Sequence, residues 1–278
     1  MNCRDKILDF SSPCIMGILN VTEDSFFDGG KYIYVEQMLK QVEKMVSHGL
    51  DIIDIGACST RPGAKGIGEK QELEKLIPAV AAVRENFPLL IISIDTFRAN
   101  VASEAVKVGA DMINDISGSA FEDKIPSIIT DLQIPYVLMH ISGTTETMHT
   151  KRSYENIISE IYSYFSKKSN QLLNRGLSNI IIDPGFGFGK SLENNYKLLL
   201  NLKQFKSLGL PLLAGLSRKS FINKLINSKP KNSLNGTTVV NTIALLNGAN
   251  ILRVHDVKEA KEAVEIVGYM KQQQELRS

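Results

Sequence analysis

Cysteine is scarce in this chain and badly spaced for its structural uses. Only Cys3, Cys14 and Cys58 occur. They are odd in number and contain no C-x-x-C pair, which excludes a disulfide framework and a cysteine zinc site and points to a reducing compartment. An excess of one charge is also missing. Against 30 Asp and Glu stand 32 Lys and Arg, a formal net charge of +2, with none of the basic stripe that a nucleic-acid partner requires. No apolar run reaches membrane-spanning length, and Met1 is not followed by a basic segment with an apolar run behind it. The expectation is a soluble, cytoplasmic protein with no nucleic-acid or membrane partner. No Gly/Ser-rich or Pro-rich linker and no internal repeat divides the sequence, so residues 1–278 read as a single domain.

What is present is an alternation. Short β-branched runs, of the kind that form fully buried strands, are followed by amphipathic helical stretches. The predicted strands are Cys14 to Leu19, Asp51 to Gly56, Leu89 to Ile94, Asp111 to Ile113, Tyr136 to Met139, Ile180 to Ile182, Pro211 to Gly215 and Ala249 to Arg253. Between them lie a helix with Met38, Leu39, Val42, Met45 and Val46 on one face, one from about Gln71, and one over Asn100 to Val108. A long helix over Tyr154 to Asn174 turns Ile157, Ile158, Ile161, Phe165, Leu172 and Leu173 inward. Gly49, Gly109 and Gly176 stand where left-handed helix ends belong. A last helix opens on Asp256 and Glu259. About eight strand–helix units in a chain of this length give an α/β protein: a single (β/α)8 TIM barrel, with its active site at the C-terminal ends of the strands. An open doubly wound sheet is the rival, but it does not bring all strand ends around one site.

The residues at those ends are Asn20, Ser59-Thr60-Arg61, Asp95, Asn114-Asp115, Met139-His140, Asp183, Lys219 and Arg253 with His255. Each alone has a plain structural explanation, as turn former, solvated charge or buried histidine. Together they form two chemical groups. Asp95, Asn114 and Asp183 suit a flat heterocycle with adjacent N–H and acceptor edges, to which Lys219 can donate. Asn20, Arg253 and His255 suit a phosphate-type anion with a hard cation. Gly185-Phe186-Gly187-Phe188-Gly189-Lys190-Ser191 is not a phosphate-binding P-loop, because Pro184 stands where its first glycine belongs. Cys58 has no neighbouring histidine and reads as a packed thiol.

In Met16-Gly17-Ile18-Leu19-Asn20-Val21-Thr22 with Asp24-Ser25-Phe26, Ser59-Thr60-Arg61-Pro62-Gly63-Ala64, Asp95-Thr96, Ile113-Asn114-Asp115-Ile116, Leu138-Met139-His140, Asp183 to Lys190, Ser217-Arg218-Lys219-Ser220 and Ile251 to Val257, the chain resembles the dihydropteroate synthase family. These motifs run in the family's order and span almost the whole sequence. The resemblance implies condensation of 6-hydroxymethyl-7,8-dihydropterin diphosphate with 4-aminobenzoate, with Mg²⁺, in a homodimeric enzyme that sulfonamides target. It implies Asp95, Lys219, Arg253 and His255 as catalytic residues. A pterin site follows from Asp95, Asn114, Met139, Asp183, Phe188, Gly215 and Lys219. A pyrophosphate site follows from Asn20, Arg61, Arg253 and His255, with Asn20 as metal ligand. An aminobenzoate site follows from Phe26, Thr60, Arg61, Pro62, Phe188, Lys219 and Ser220. The chain departs from the family at Glu23, Phe27, Ala57 and Cys58, in or beside the loops expected over the aminobenzoate. The alternatives are a pterin-binding barrel methyltransferase, which needs neither the Ser59-Thr60-Arg61 loop nor the Arg253-His255 pair, and a pterin-binding paralogue without turnover.

Overall fold

The computed structural model describes residues 1–21, 31–57, 67–143, 147, 150 and 152–275. A two-stranded hairpin, β1 (Asn2–Cys3) and β2 (Lys6–Ile7), opens the chain. Eight parallel strands follow: β3 (Cys14–Asn20), β4 (Ile52–Gly56), β5 (Ile91–Asp95), β6 (Met112–Asp115), β7 (Tyr136–Met139), β8 (Ile180–Asp183), β9 (Leu213–Ala214) and β10 (Ile251–Val254). They pair in the order β8-β7-β6-β5-β4-β3-β10-β9, and a parallel bridge between Ile182 and Leu212 closes the ring. The helices between them are α1 (Lys31–Ser47), α2 (Glu69–Asn86), α3 (Ala99–Lys107), α4 (Ile125–Leu132), α5 (Ile157–Leu173), α6 (Leu192–Leu200), α7 (Ser220–Leu225), α8 (Leu234–Leu246) and α9 (Val257–Glu275). This is the expected (β/α)8 barrel.

The two faces of each strand have separate fates. Ile15, Leu19, Ile53, Ile55, Ile92, Ile94, Ile113, Leu138, Ile180, Ile182, Leu252 and Val254 belong to the large core shared with the helices. Cys14, Met16, Ile52, Ile91, Met112, Val137, Ile181, Leu213 and Ile251 form a second core inside the ring, which Cys3 and Leu8 of the N-terminal segment join. Strand side chains alternate with a period of two. The inward set therefore continues, two residues further along, into Asp54, Ser93, Asn114, Met139, Asp183, Gly215 and Arg253. The barrel has an apolar floor and a polar upper layer.

Several local expectations change. The hairpin was not foreseen, because two-residue strands carry no readable periodicity. β9 is shorter than Pro211 to Gly215: Pro211 has no N–H to give a ladder. Val46 and Leu173, expected inward, are 39% and 44% exposed. Each follows a buried position, Met45 and Leu172, and lies about 100° further round the helix, off the inward face. The predicted left-handed ends hold, with φ of +90° at Gly49, +116° at Gly109 and +91° at Gly176. Among the described residues, no helix is long and apolar enough to cross a membrane.

Candidate active site

Asp54 is the hub of the polar layer. It is fully buried and accepts hydrogen bonds from Ser93 Oγ at 2.7 Å, Asn114 Nδ2 at 3.0 Å and Arg253 Nε at 2.6 Å. Arg253 also donates through Nη2 to Asp95 Oδ2 at 2.7 Å, so one guanidinium from β10 bridges carboxylates from β4 and β5. Burial works against the Arg253 charge, but Asp54 and Asp95 outweigh it and hold the guanidinium above its usual range. Burial pushes Asp95 up to about 7, helped by Asp54 and Asp115 and opposed by Arg253 and Lys219.

Asp183 ends β8. Its Oδ1 accepts from the Gly185 N–H at 2.8 Å, while Oδ2 lies 3.8 Å from where a side chain on Gly215 would begin. Burial raises its pKa, and the Gly185 N–H, Lys219, Arg253 and Lys190 each pull it back. The turn that follows has φ of +69°, +84° and +60° at Gly185, Gly187 and Gly189, values that glycine adopts at no steric cost. The turn places Phe188 under Lys219, whose Nζ lies 4.3 Å from the ring centroid. Lys219 stands just before α7. Burial and Arg253 bring its ammonium down to about 8, while Asp183 and Asp95 resist.

These groups face one cleft, lined by Asn114, Ile116, Met139, Asp183, Phe186, Phe188, Gly215, Lys219 and Arg253. Ile116, Met139, Ile141 and Phe188 form its apolar wall, backed by Phe97 and Phe121 in an edge-to-face pair. The cleft has an acceptor at Asp183, cations at Lys219 and Arg253, and a flat aromatic flank. That combination suits a planar, polar heterocycle beside an anion.

Of the predicted pterin residues, Asn114, Met139, Asp183, Phe188, Gly215 and Lys219 line this cleft, and Asp95 lies behind Arg253. Arg253, expected at the pyrophosphate, lines it too, so the two predicted groups adjoin rather than stand apart. Asn20 is exposed at the end of β3, and His255 is half-buried just beyond β10, its N–H on Ser217 Oγ at 3.3 Å. Ser220 is exposed at the first position of α7. Phe26, Thr60, Arg61 and Pro62 lie outside the described residues, as do Glu23, Phe27 and Cys58.

Two strand-end residues turn away. Asp115 faces outward and accepts from Tyr136 Oη at 2.6 Å and from the N–H groups of Ser117 and Ser119. His140 is buried, with its ring edge-on to Tyr164 at 5.0 Å. Sequence reasoning missed Asp54, Ile116, Phe186 and Lys190. For Asp54 a signal existed: an acidic residue in the middle of the apolar run Ile52 to Ile55, two positions from Ile52 on the inward face.

Comparison with known proteins agrees with this geometry. The pterin binding enzyme family model matches residues 16–255. Dihydropteroate synthase of Haemophilus influenzae is 42% identical over 95% of this chain and 96% of its own. The Yersinia pestis dihydropteroate synthase, solved with a sulfonamide drug complex, superposes with a TM-score of 0.91 at 39% identity, covering 98% of this chain and 99% of that one. Xanthomonas albilineans dihydropteroate synthase, solved with 4-aminobenzoic acid, gives 0.89 at 35% identity, covering 97% of each chain. With this cleft at the mouth of this barrel, the chain belongs to the pterin-binding enzymes and, among them, to the dihydropteroate synthase family.

Proposed function

We propose that the chain condenses 6-hydroxymethyl-7,8-dihydropterin diphosphate with 4-aminobenzoate, releasing pyrophosphate and forming 7,8-dihydropteroate. The observation that carries the reading is the cleft itself, where Asp183 and Asn114 face a slot walled by Phe188 and Met139 with Lys219 and Arg253 at its edge. In this account Asp183 Oδ2 accepts from the N–H edge of the pterin. Asn114 presents its carbonyl oxygen, since its amide nitrogen is bonded to Asp54. Lys219 donates to the ring, and Phe188, Met139 and Ile116 cover its faces.

Departure of the diphosphate leaves positive charge on the CH₂ and the electron-rich ring, an SN1-like displacement. Asp95 and Asp183 stabilise that cation. Arg253 and His255 favour the leaving anion. Arg253 Nη1, which has no acceptor among the described residues, is the donor directed to it. The aryl amine is a weak nucleophile, yet it captures such a cation without a strong base. Arg61 belongs to the same anion set, and Phe26, Thr60, Pro62 and Ser220 to the aminobenzoate pocket, as the family resemblance implies.

Among the described residues no cluster of three or more His, Cys, Asp or Glu could hold a metal. On the family resemblance a divalent cation would rest on Asn20 and on the diphosphate itself, which fits Mg²⁺ and its preference for phosphate and water oxygens. When bound, it would neutralise charge on the leaving group. The working unit is a homodimer on the same resemblance.

Pyrophosphate release measured with both substrates is the test. Release that requires 4-aminobenzoate and is inhibited competitively by a sulfonamide is expected. Pterin binding without any release would assign the chain to a non-catalytic paralogue, and methyl transfer would assign it to the methyltransferase branch.

A further inference from the structure

Lys190 is a buried lysine that the mechanism above does not use. It is 6% exposed. Its ammonium donates to the carbonyl of Gly185 at 2.7 Å, to that of Phe188 at 3.2 Å and, at the limit of hydrogen bonding, to that of His140 at 3.5 Å. The three carbonyls come from the end of β7 and from both halves of the turn after β8. They meet all three donors of one ammonium.

This turn is also tied by the Gly187 N–H to Asn195 Oδ1 at 2.7 Å and by buried Phe186 beside Phe221. Among the described residues, Lys190 is the one cation inside it that bonds to both of its halves and to β7. The turn's alternate residues are glycines, which bring no side-chain contacts and the largest backbone entropy to lose. It also runs directly over β7, so that a Cβ on Gly185 would lie 2.1 Å from the His140 carbonyl oxygen. Burying an ammonium is costly unless it is well paired. Here the cost is offset by pinning the two segments that carry Asp183 and Phe188.

We propose that Lys190 is a positioning residue for pterin recognition: an internal cation that fixes the turn between Asp183 and Phe188 and, through its charge, keeps Asp183 ionised for the ring's N–H edge. The inference rests on the pterin reading above. Its electrostatic half has a definite sign. Burial raises the Asp183 pKa, and Lys190 is one of the charges that lower it. Asp183 acts reciprocally on Lys190, whose pKa burial and Lys219 draw down to about 7 and Asp183 holds up. The other charged groups facing the pair are Lys219 before α7 and Arg253 on β10, with Asp95 reached through Arg253. His140 on the β7 side is neutral throughout, since burial, Lys190 and Arg152 lower its pKa to about 2.

The test is calorimetric titration of 6-hydroxymethyl-7,8-dihydropterin from pH 5 to 8, with no aminobenzoate, into wild type, Lys190→Gln and Lys190→Met. Glutamine keeps an N–H donor for the Gly185 carbonyl but loses the charge; methionine loses both. Wild type should bind, with affinity falling on the acid side as Asp183 protonates. Lys190→Gln should move that acid limb to higher pH, so that its deficit is small at pH 8 and grows severalfold toward the limb. Lys190→Met should add a loss that is the same at every pH. Unchanged binding in Lys190→Gln, or a deficit independent of pH, would reduce Lys190 to a structural residue and overturn the proposal. Absence of pterin binding in wild type would instead overturn the pterin reading, and this inference with it. Should neither variant fold, Asp183→Asn gives a second route. The ¹³Cε resonance of Lys190 should then titrate at lower pH than in wild type, and an unchanged titration would contradict the coupling.

Discussion

Arg253 has two jobs, and its substitution should reveal both. It neutralises Asp54 and Asp95 in the free protein and faces the cleft where the leaving anion is placed. Arg253→Ala should lower kcat/KM by the equivalent of about 3 kcal/mol, the scale of a lost charge-stabilising donor. It should also cost roughly 3–5 kcal/mol of stability in urea denaturation, because Asp54 keeps its bonds from Ser93 and Asn114 but is left buried without a counter-charge. Turnover within a few-fold of wild type would remove Arg253 from the chemistry. Asp183→Ala should weaken dihydropterin binding by about 2–3 kcal/mol, since an N–H edge loses its charged acceptor, and unchanged affinity by calorimetry would contradict that role. His140 contributes to pH dependence instead. Its folded pKa, lowered to about 2 by burial, Lys190 and Arg152, lies below the ordinary value of about 6.5. Its stabilisation is complete above pH 6.5 and is lost as the pH falls, because only the unfolded chain takes up the proton. His140→Phe should keep the ring packing on Tyr164 and flatten the stability profile between pH 6.5 and 4.5. The change in slope should be up to about 1.4 kcal/mol per pH unit.

At the scale of single elements, the turn after β8 is the most demanding. Gly185→Ala must place a Cβ 2.1 Å from the His140 carbonyl oxygen at a φ of +69°. Neither the backbone atom nor the left-handed φ has an easy escape, so a loss of at least about 2 kcal/mol in stability is expected. Thermal unfolding checks it; a neutral substitution would mean that the turn is not pinned against β7. This element also shows what could be read from the sequence. The run Ile180 to Asp183 announced a buried strand ending in an acid, and the glycines announced a close approach. What they approach, the β7 end and the Lys190 ammonium, depends on pairing between distant segments, which no local pattern encodes. The same limit hid Asp54 as a hub. Its position in an apolar strand was visible, but its partners come from β5, β6 and β10. Asp115 illustrates the opposite error. Asn114 and Asp115 are adjacent in sequence, and the period of two sends only the first into the barrel. For β9 and the opening hairpin the strands are two residues long, too short for alternation to register.

Over the whole molecule, the barrel separates what holds it together from what it does. Cys3 and Leu8 close an apolar floor with Met16, Ile52, Ile91, Met112, Val137, Ile181, Leu213 and Ile251, and the polar layer stands on that floor at the opposite rim. Leu8→Ala should therefore cost about 2–4 kcal/mol of stability while leaving kcat/KM at temperatures well below unfolding within about twofold of wild type. A large loss of activity in folded Leu8→Ala protein would show that floor and rim are coupled. The central claim is that one rim gathers a ring-reading set and an anion-reading set from strands spread between β3 and β10. A crystal structure with 6-hydroxymethyl-7,8-dihydropterin diphosphate bound tests it most directly. The account predicts the pterin against Asp183 and Asn114, with Phe188 and Met139 on its faces and the diphosphate directed toward Arg253, His255 and Asn20. A ring seated away from Asp183, or a diphosphate out of reach of Arg253, would contradict it.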